Sequence, residues 1–412
     1  MLKKVRDKLS LLGPSILWAS AAIGVSHIVQ STRAGATYGY SLILIVILAN
    51  VLKYPFFEFA TRYTVVKNET VLDGYRRIGK WAIYLYTALT ISTMFTIQAG
   101  VTLVTAAIFE NWLDINLGLF LSSFIILLIS IIIIQLVRNN FFVNFIKILI
   151  FILIISTIAS TILTTNVSVD ISSDFSPPEI FSYIGITFVI ALIGWMPSPI
   201  DLSAWSSVWI MEKRANNSKF DIKDNSFDFN FSYLITTVLA VIFLILGANV
   251  FYGSGVEFAA SASSFVGQLA ELYSSLGEGA RNLILLSAFC AMFSTTITCL
   301  DAFPKVLSKC SELLPIQKKS KNFFLPVVAM GTLIVILYFS TEMRKLVDLA
   351  TILSFLTSPF LAYLNYKLIY SHDFPATSRP NLLIKSLSIV GMIFLGIFSL
   401  VFIANKLGLI FN

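Results

Sequence analysis

The 412-residue chain is 57% hydrophobic and 12% charged, with a net charge of +7 and a mean hydropathy of +0.85. A soluble domain carries about 25% charged residues, and a soluble protein this apolar would aggregate through exposed patches, so the chain is an all-α integral membrane protein. The positive balance raises nucleic acid or an acidic partner, but the basic residues are sorted loop by loop, which excludes a nucleic-acid footprint.

Hydropathy predicts about eleven spans: 12–33, 38–64, 79–108, 115–137, 140–165, 177–211, 229–252, 283–303, 323–340, 345–370 and 383–405. With their flanks they reach the ~20 residues a crossing helix needs. The first opens on Gly13-Pro14 and is interrupted at Gly24-Val25-Ser26-His27. Gly24 relaxes the helix, and Ser26 and His27 present a hydroxyl and an imidazole. A lone histidine is usually a satisfied core residue, yet one in mid-span beside an unwound turn is costly unless used. Gln30 and Arg33 follow, and Arg33 suits snorkelling or a gate salt bridge near the outer end. In span two, Lys53, Glu58 and Arg62 are expected to form an internal ion pair, with Glu58 and Arg62 one turn apart. Span three carries Thr93, Thr96, Gln98 and Thr102 but no acidic residue, which predicts transport driven weakly or not at all by protons.

Span six is broken at Met196-Pro197-Ser198-Pro199. Ser198-Pro199-Ile200-Asp201 reads as an N-cap, a first-turn proline and a carboxylate at the third helical position. A new half-helix would start there in mid-membrane, its amides and positive dipole end facing a cavity. The preceding half ends near Trp195-Met196 and leaves carbonyls that suit a cation. Helix capping already explains Asp201, with substrate contact as the alternative. Met196 is packing or, at a break, a soft sulfur contact for a transition metal. Ser294, Thr298 and Asp301 share a face of span eight, and Thr351, Ser354 and Thr357 a face of span ten. Such hydroxyls often bond their own helix or glue neighbours. Cys290, Cys299 and Cys310 read as apolar core residues without a disulfide framework. His27 and His372 are too distant in sequence for a local metal motif. The basic segment before span one lacks the cleavage site of a signal peptide.

Lys and Arg collect on alternate connections. Lys3, Lys4, Arg6 and Lys8 precede span one; Lys67, Arg76, Arg77 and Lys80 precede span three. Lys213, Arg214, Lys219 and Lys223 follow span six, and Lys305, Lys309, Lys318, Lys319 and Lys321 lie between spans eight and nine. Opposite connections such as 110–114 and 164–178 are bare or acidic, with Arg344-Lys345 the exception. The N-terminus is therefore expected in the cytoplasm and the C-terminus outside. Within one transmembrane domain (1–412), repeat one (about 11–165) and repeat two (about 177–370) each hold about five spans and each begin on a broken helix. An odd number per repeat forces opposite orientations, an inverted repeat, with 383–405 outside it. Broken helices at matching positions point to the substrate site of a secondary transporter. With no catalytic motif or sensor domain, an enzyme or receptor is not expected.

Gly13-Pro14, the run Ala34-Gly35-Ala36-Thr37-Tyr38-Gly39-Tyr40-Ser41-Leu42, Ala49-Asn50 and Met196-Pro197 resemble the NRAMP divalent-metal transporters over nearly the whole chain. The resemblance implies the leucine-transporter fold (5+5 inverted repeat, broken helices 1 and 6), cargo between spans one and six, and proton-linked manganese or iron import in typical members. The departures are as informative. The family's Asp-Pro-Gly-Asn falls on Gly24-Val25-Ser26-His27, so the metal-binding aspartate is glycine and the asparagine is His27. Its histidine after Met-Pro is Ser198, a second histidine falls near Ser203, and the span-ten glutamine corresponds to Thr351.

The expected site is Gly24, Ser26, His27, Met196, Ser198, Asp201 and Thr351, with Met196 and His27 as metal ligands. No cofactor is expected, and the partners are the lipid bilayer and a small ion or solute. The location implied is a bacterial inner (plasma) membrane. A divalent cation of the manganese, iron or magnesium class is the first cargo reading. A small anion such as bicarbonate, or a zwitterion such as an amino acid, is the alternative, because a dehydrated dication wants anionic oxygens and the span-one carboxylate is gone.

Overall fold

In lipid every backbone N–H and C=O must find a protein partner, which leaves helices as the means for a chain like this to cross. The computed structural model describes residues 12–136, 139–164, 175–216, 220–254, 262–274, 278–339, 342–407 and 409. The topogenic residues Lys3, Lys4, Arg6, Lys8 and Lys219, and 165–174 of one acidic connection, lie outside the described residues. Among the described residues nine helices are long and apolar enough to span. They are spans two (Ile43–Lys67), three (Lys80–Leu113), four (Leu119–Leu136), five (Asn139–Thr164), seven (Ile222–Phe251), eight (Glu278–Leu313), nine (Lys321–Phe339), ten (Met343–Ile369) and eleven (Leu382–Lys406). Spans seven and eight run well beyond the expected 229–252 and 283–303, because hydropathy registers only the lipid-crossing part. Their polar ends stay helical through caps such as Asp221, whose side chain accepts from the Asp224 amide.

The two spans outside that set are the interrupted ones, and both breaks fall where expected. Span one is Pro14–Ala22, an irregular Ile23-Gly24, a π-helical turn Ser26–Ser31 and Thr32–Tyr38. Span six is Tyr183–Trp195, an irregular stretch from Met196 to Asp201 and Leu202–Asn216. Short helices Val71–Ile78 and Ala262–Ser274 join spans two to three and seven to eight. Spans three and eight are the most buried of the continuous helices, while four, nine and eleven turn most of their surface outward. Leu128, Ile132, Met330, Ile393 and Leu400 form part of that outer apolar surface. The first half of span one packs against spans five, seven and eight and the second half of span six, placing both breaks centrally.

The second half of span one lies backbone to backbone with span seven. A Cβ on Gly35 would stand 1.9 Å from the Leu244 carbonyl oxygen, and one on Gly247 2.2 Å from that of Thr32. Small residues let membrane helices approach this closely, and dispersion then supplies the attraction that water exclusion cannot. Gly247→Val is therefore expected to cost about 1–3 kcal/mol by overpacking, seen as a lower thermal unfolding midpoint in detergent. An unchanged midpoint would mean the two helices can separate freely.

Candidate functional site

At the break of span one the chain turns its amides away from the usual acceptors. The Gly24 amide donates to Ala22 O at 3.0 Å, and the His27 amide to Gly24 O at 3.0 Å. The carbonyls of Ser20 and Ile23 are met instead by the Thr295 hydroxyl of span eight, at 2.8 and 3.0 Å. Thr295 also explains Gly24. A Cβ there would lie 2.6 Å from Thr295 Oγ1 and 2.7 Å from its Cγ2, so the space a span-one aspartate needs is already filled.

At the break of span six, the carbonyl end is occupied by a charge. Lys53, with no solvent exposure, donates from Nζ to Ile193 O at 2.6 Å, Gly194 O at 2.8 Å and Ser198 O at 3.3 Å. An ammonium has three N–H donors, and the negative end of a helix dipole favours a cation, so burial is matched by full pairing. This corrects the expected grouping of Lys53 with Glu58 and Arg62. Glu58 and Arg62 do pair, at 2.5 Å, while Lys53 reaches across to span six. The cation that the free carbonyls suit is supplied by the chain itself.

The N-cap reading of Ser198 is also corrected. The second half of span six starts at Leu202, and the Ser198 hydroxyl donates to Pro199 O at 3.3 Å. With prolines at 197 and 199 the chain stays out of the helix until turns closed by Leu202 N to Pro199 O and Ser203 N to Ile200 O, at 3.3 and 3.0 Å, lead into the next half-helix. Asp201 immediately precedes the helix, its carbonyl accepting from the Ala204 amide at 3.0 Å. Its carboxylate lies within electrostatic reach of Lys53.

The remaining expected residues separate. His27 is wholly buried; its Nδ1 lies 2.7 Å from Ser26 Oγ, and its Nε2 lies 3.0 Å from Thr236 O of span seven. Both ring nitrogens are thus engaged. Ser26 Oγ also lies 2.6 Å from Ala22 O, so its single proton serves either that carbonyl or the ring. Met196, equally buried, receives the Ser31 hydroxyl on its sulfur at 3.9 Å. Thr351 bonds Asp348 O of its own helix at 2.8 Å and is packed on Gly194, whose Cβ position lies 2.8 Å from Thr351 O. Among the described residues no group of three His, Cys, Asp or Glu side chains is placed to hold a metal ion.

Charged groups tie down the ends, three of them, Asp228, Glu212 and Asp348, not singled out by sequence. Asp228 of span seven accepts the Gly13 and Ser15 amides at 2.9 Å each, capping span one from outside its own helix. Lys305 joins Asp301 at 2.7 Å and Glu212 at 2.8 Å, linking span eight to the second half of span six. Towards the other end, Arg33 meets Asp348 of span ten at 3.4 Å and Gln30 at 3.3 Å, so of the two readings, snorkelling or a salt bridge, the structure forms the ion pair. A mid-span lysine whose partners are carbonyls of another span, and an aspartate at the right helical height on another span, are signals that only partner positions make readable.

A family model described as natural resistance-associated macrophage protein-like matches residues 15–405. The chain belongs to the Nramp family. A protein of Pasteurella multocida described as uncharacterized is 36% identical over 412 residues, covering 98% of this chain and 94% of that one. The crystal structure of a manganese transporter of Eremococcus coleocola, bound to an aromatic bis-isothiourea compound, superposes with a TM-score of 0.78 at 16% identity, covering 97% of this chain and 87% of the other. MhsT in complex with L-phenylalanine gives a TM-score of 0.65 at 12% identity over 95% and 98% of the two chains. The protein is a multi-pass membrane transporter of the Nramp family with the leucine-transporter fold.

Restoring the family's carboxylate alone should fail for a steric reason. Gly24→Asp is expected to lower the thermal midpoint through its clash with Thr295, by about 1–3 kcal/mol. Gly24→Asp with Thr295→Ala should recover part of that loss. Equal stability of the single variant and the native protein would contradict the packing described.

Proposed function

We propose that this Nramp-family protein is a secondary active transporter that carries a small ion by alternating access, held between broken spans one and six. The observation that carries the reading is the pair of mid-membrane breaks bracketed by polar ties at both ends. Arg33–Asp348 closes one end, and Asp228 with the Glu212–Lys305–Asp301 group holds the other. Each tie joins a half-helix to a neighbouring span, so making and breaking them in turn would open the site to one side at a time. The described basic residues, Lys67, Arg76, Arg77, Lys213, Arg214, Lys305 and Lys309, support a cytoplasmic N-terminus in an inner membrane. The Arg33–Asp348 pair then lies towards the outside.

A divalent metal of the manganese, iron or magnesium class is the first cargo reading, supported by family membership and the Met196 thioether at the break. For such an ion to reach the carbonyls of span six, Lys53 must withdraw, because the two positive charges repel. That same ammonium favours a second reading. A small anion or the carboxylate of a zwitterion would find a fixed positive charge and no carboxylate in span one.

Uptake by reconstituted protein of manganese, magnesium, bicarbonate and amino acids tests both. For metal cargo, Met196→Ala should weaken manganese or cadmium uptake about tenfold and spare magnesium, which does not favour sulfur. Lys53→Met moves the two readings in opposite directions. It should raise apparent dication affinity if metal is carried and abolish uptake if an anion is carried. Folded native protein that neither binds nor takes up any dication would sink the metal reading.

A further inference from the structure

Away from the broken helices, a buried carboxylate is left half paired. Glu58 of span two receives Arg62 on one oxygen alone: Nε lies 2.6 Å from Oε1, and Nη2 lies 2.5 Å from the same atom. The third nitrogen of Arg62, Nη1, donates to Ser378 O at 3.1 Å. An arginine fork ordinarily meets both oxygens of a carboxylate. Here Oε2 is buried and has no hydrogen-bond partner among the described residues. Asn225 of span seven shows the same lack, its buried Oδ1 being unpartnered among the described residues. Both residues line one cavity of about 230 Å³ between span two, span seven and the start of span eleven. That space is several times the ~30 Å³ that one water occupies in the liquid. Its wall also includes Tyr54 and Phe229, whose rings lie 5.4 Å apart.

We propose that this cavity binds a primary ammonium group, and that in the membrane the group is the headgroup of an aminophospholipid. The atoms without partners are acceptors, one of them on a carboxylate, so the ligand must bring N–H donors and positive charge. An anionic group would set acceptors against acceptors. A dication wants several anionic oxygens, and Glu58 leaves only one uncovered. A primary ammonium carries three donors, and aromatic faces such as those of Tyr54 and Phe229 favour a cation. A quaternary ammonium could use the rings but has no N–H for the oxygens. The surroundings fit a lipid. Span eleven turns most of its surface outward. Phe231, Leu234, Leu382 and Leu383, close in sequence to lining residues Asn230 and Asn381, are exposed apolar side chains on which acyl chains can lie. Next to lining residue Pro380 stands Arg379, whose Nε has no hydrogen-bond partner among the described residues and is a donor of the kind a phosphate takes. A headgroup seated here would join the ends of spans two, seven and eleven. Asn225 lies one turn from Asp228, which caps span one, so occupancy would be felt at a broken helix. The site does not depend on which cargo the transporter carries.

The test uses purified full-length protein, delipidated in detergent and titrated with phosphatidylethanolamine, phosphatidylcholine or phosphatidylglycerol of matched chains. Thermal unfolding and native mass spectrometry are the readouts. A saturable rise of the midpoint and a retained lipid are expected with phosphatidylethanolamine and with neither of the others. Soluble ethanolamine and its phosphate ester form a separate arm. A rise with these but none with phosphatidylethanolamine would keep the ammonium site and overturn its lipid source. Glu58→Gln, which keeps the shape and removes the charge, should weaken phosphatidylethanolamine binding about tenfold or more, the loss of one charge-assisted hydrogen bond. If Glu58→Gln does not fold, Asn225→Ala should weaken binding several-fold while leaving the Glu58–Arg62 pair. Equal or absent response to the three lipids, with none to the soluble amines, would overturn the proposal. Unchanged affinity in folded Glu58→Gln and Asn225→Ala would do the same. Because these readouts contain no cargo and no gradient, their failure is separate from failure of the transport reading.

Discussion

Lys53 donates to the carbonyl end of a half-helix from a position with no solvent exposure, and the arrangement of the core can be traced from there. A helix that stops in mid-membrane leaves carbonyls that lipid cannot solvate. Side chains from neighbouring spans must meet them. Here span two reaches span six with an ammonium, and span eight reaches span one with a hydroxyl. Each contact replaces backbone bonding lost at a break, so the breaks are stable features of the fold rather than defects in it.

The choice of capping group sets the electrostatics of the site. An ammonium brings a full charge and three donors, and it is stabilised by the dipole end on which it sits. With Gly24 in span one, no carboxylate of that span opposes it. Asp201 is within electrostatic reach from the start of the next half-helix, so the local balance involves two groups on different spans. Truncating Lys53 would therefore change charge and backbone pairing together, leaving buried acceptors that cost about 1–3 kcal/mol each when unsatisfied.

Close backbone approaches accompany these contacts. Gly24 admits Thr295, Gly194 admits the backbone of Thr351, and Gly35 and Gly247 bring spans one and seven together. The glycines serve here by lacking a Cβ rather than by adopting unusual dihedrals. Their positions put the broken spans in contact with seven, eight and ten, through which any movement of the half-helices must be transmitted. At the ends, Asp228, Lys305 and Arg33 fix the same half-helices by charge, and such ties can exchange partners more readily than packed glycine interfaces.

The sequence by itself determined the membrane class, the eleven-span pattern, the positions of both breaks and the pairing of Glu58 with Arg62. These properties depend on local composition and on periodicity along one helix, where spacing in sequence is spacing in space. It did not reveal what fills the breaks. Lys53 was grouped with charges on its own span, whereas its partners lie about 140 residues away. Ser198 resembles a helix cap, but it lies between two prolines in irregular chain, and the helix begins only at Leu202. His27 looked available at a break, and span seven engages the far side of its ring. Thr295 was one hydroxyl in a run of similar residues until span one packed against it. Only the tertiary structure decided these points, because a buried polar group is defined by partners from distant segments and the sequence lists none of those meetings.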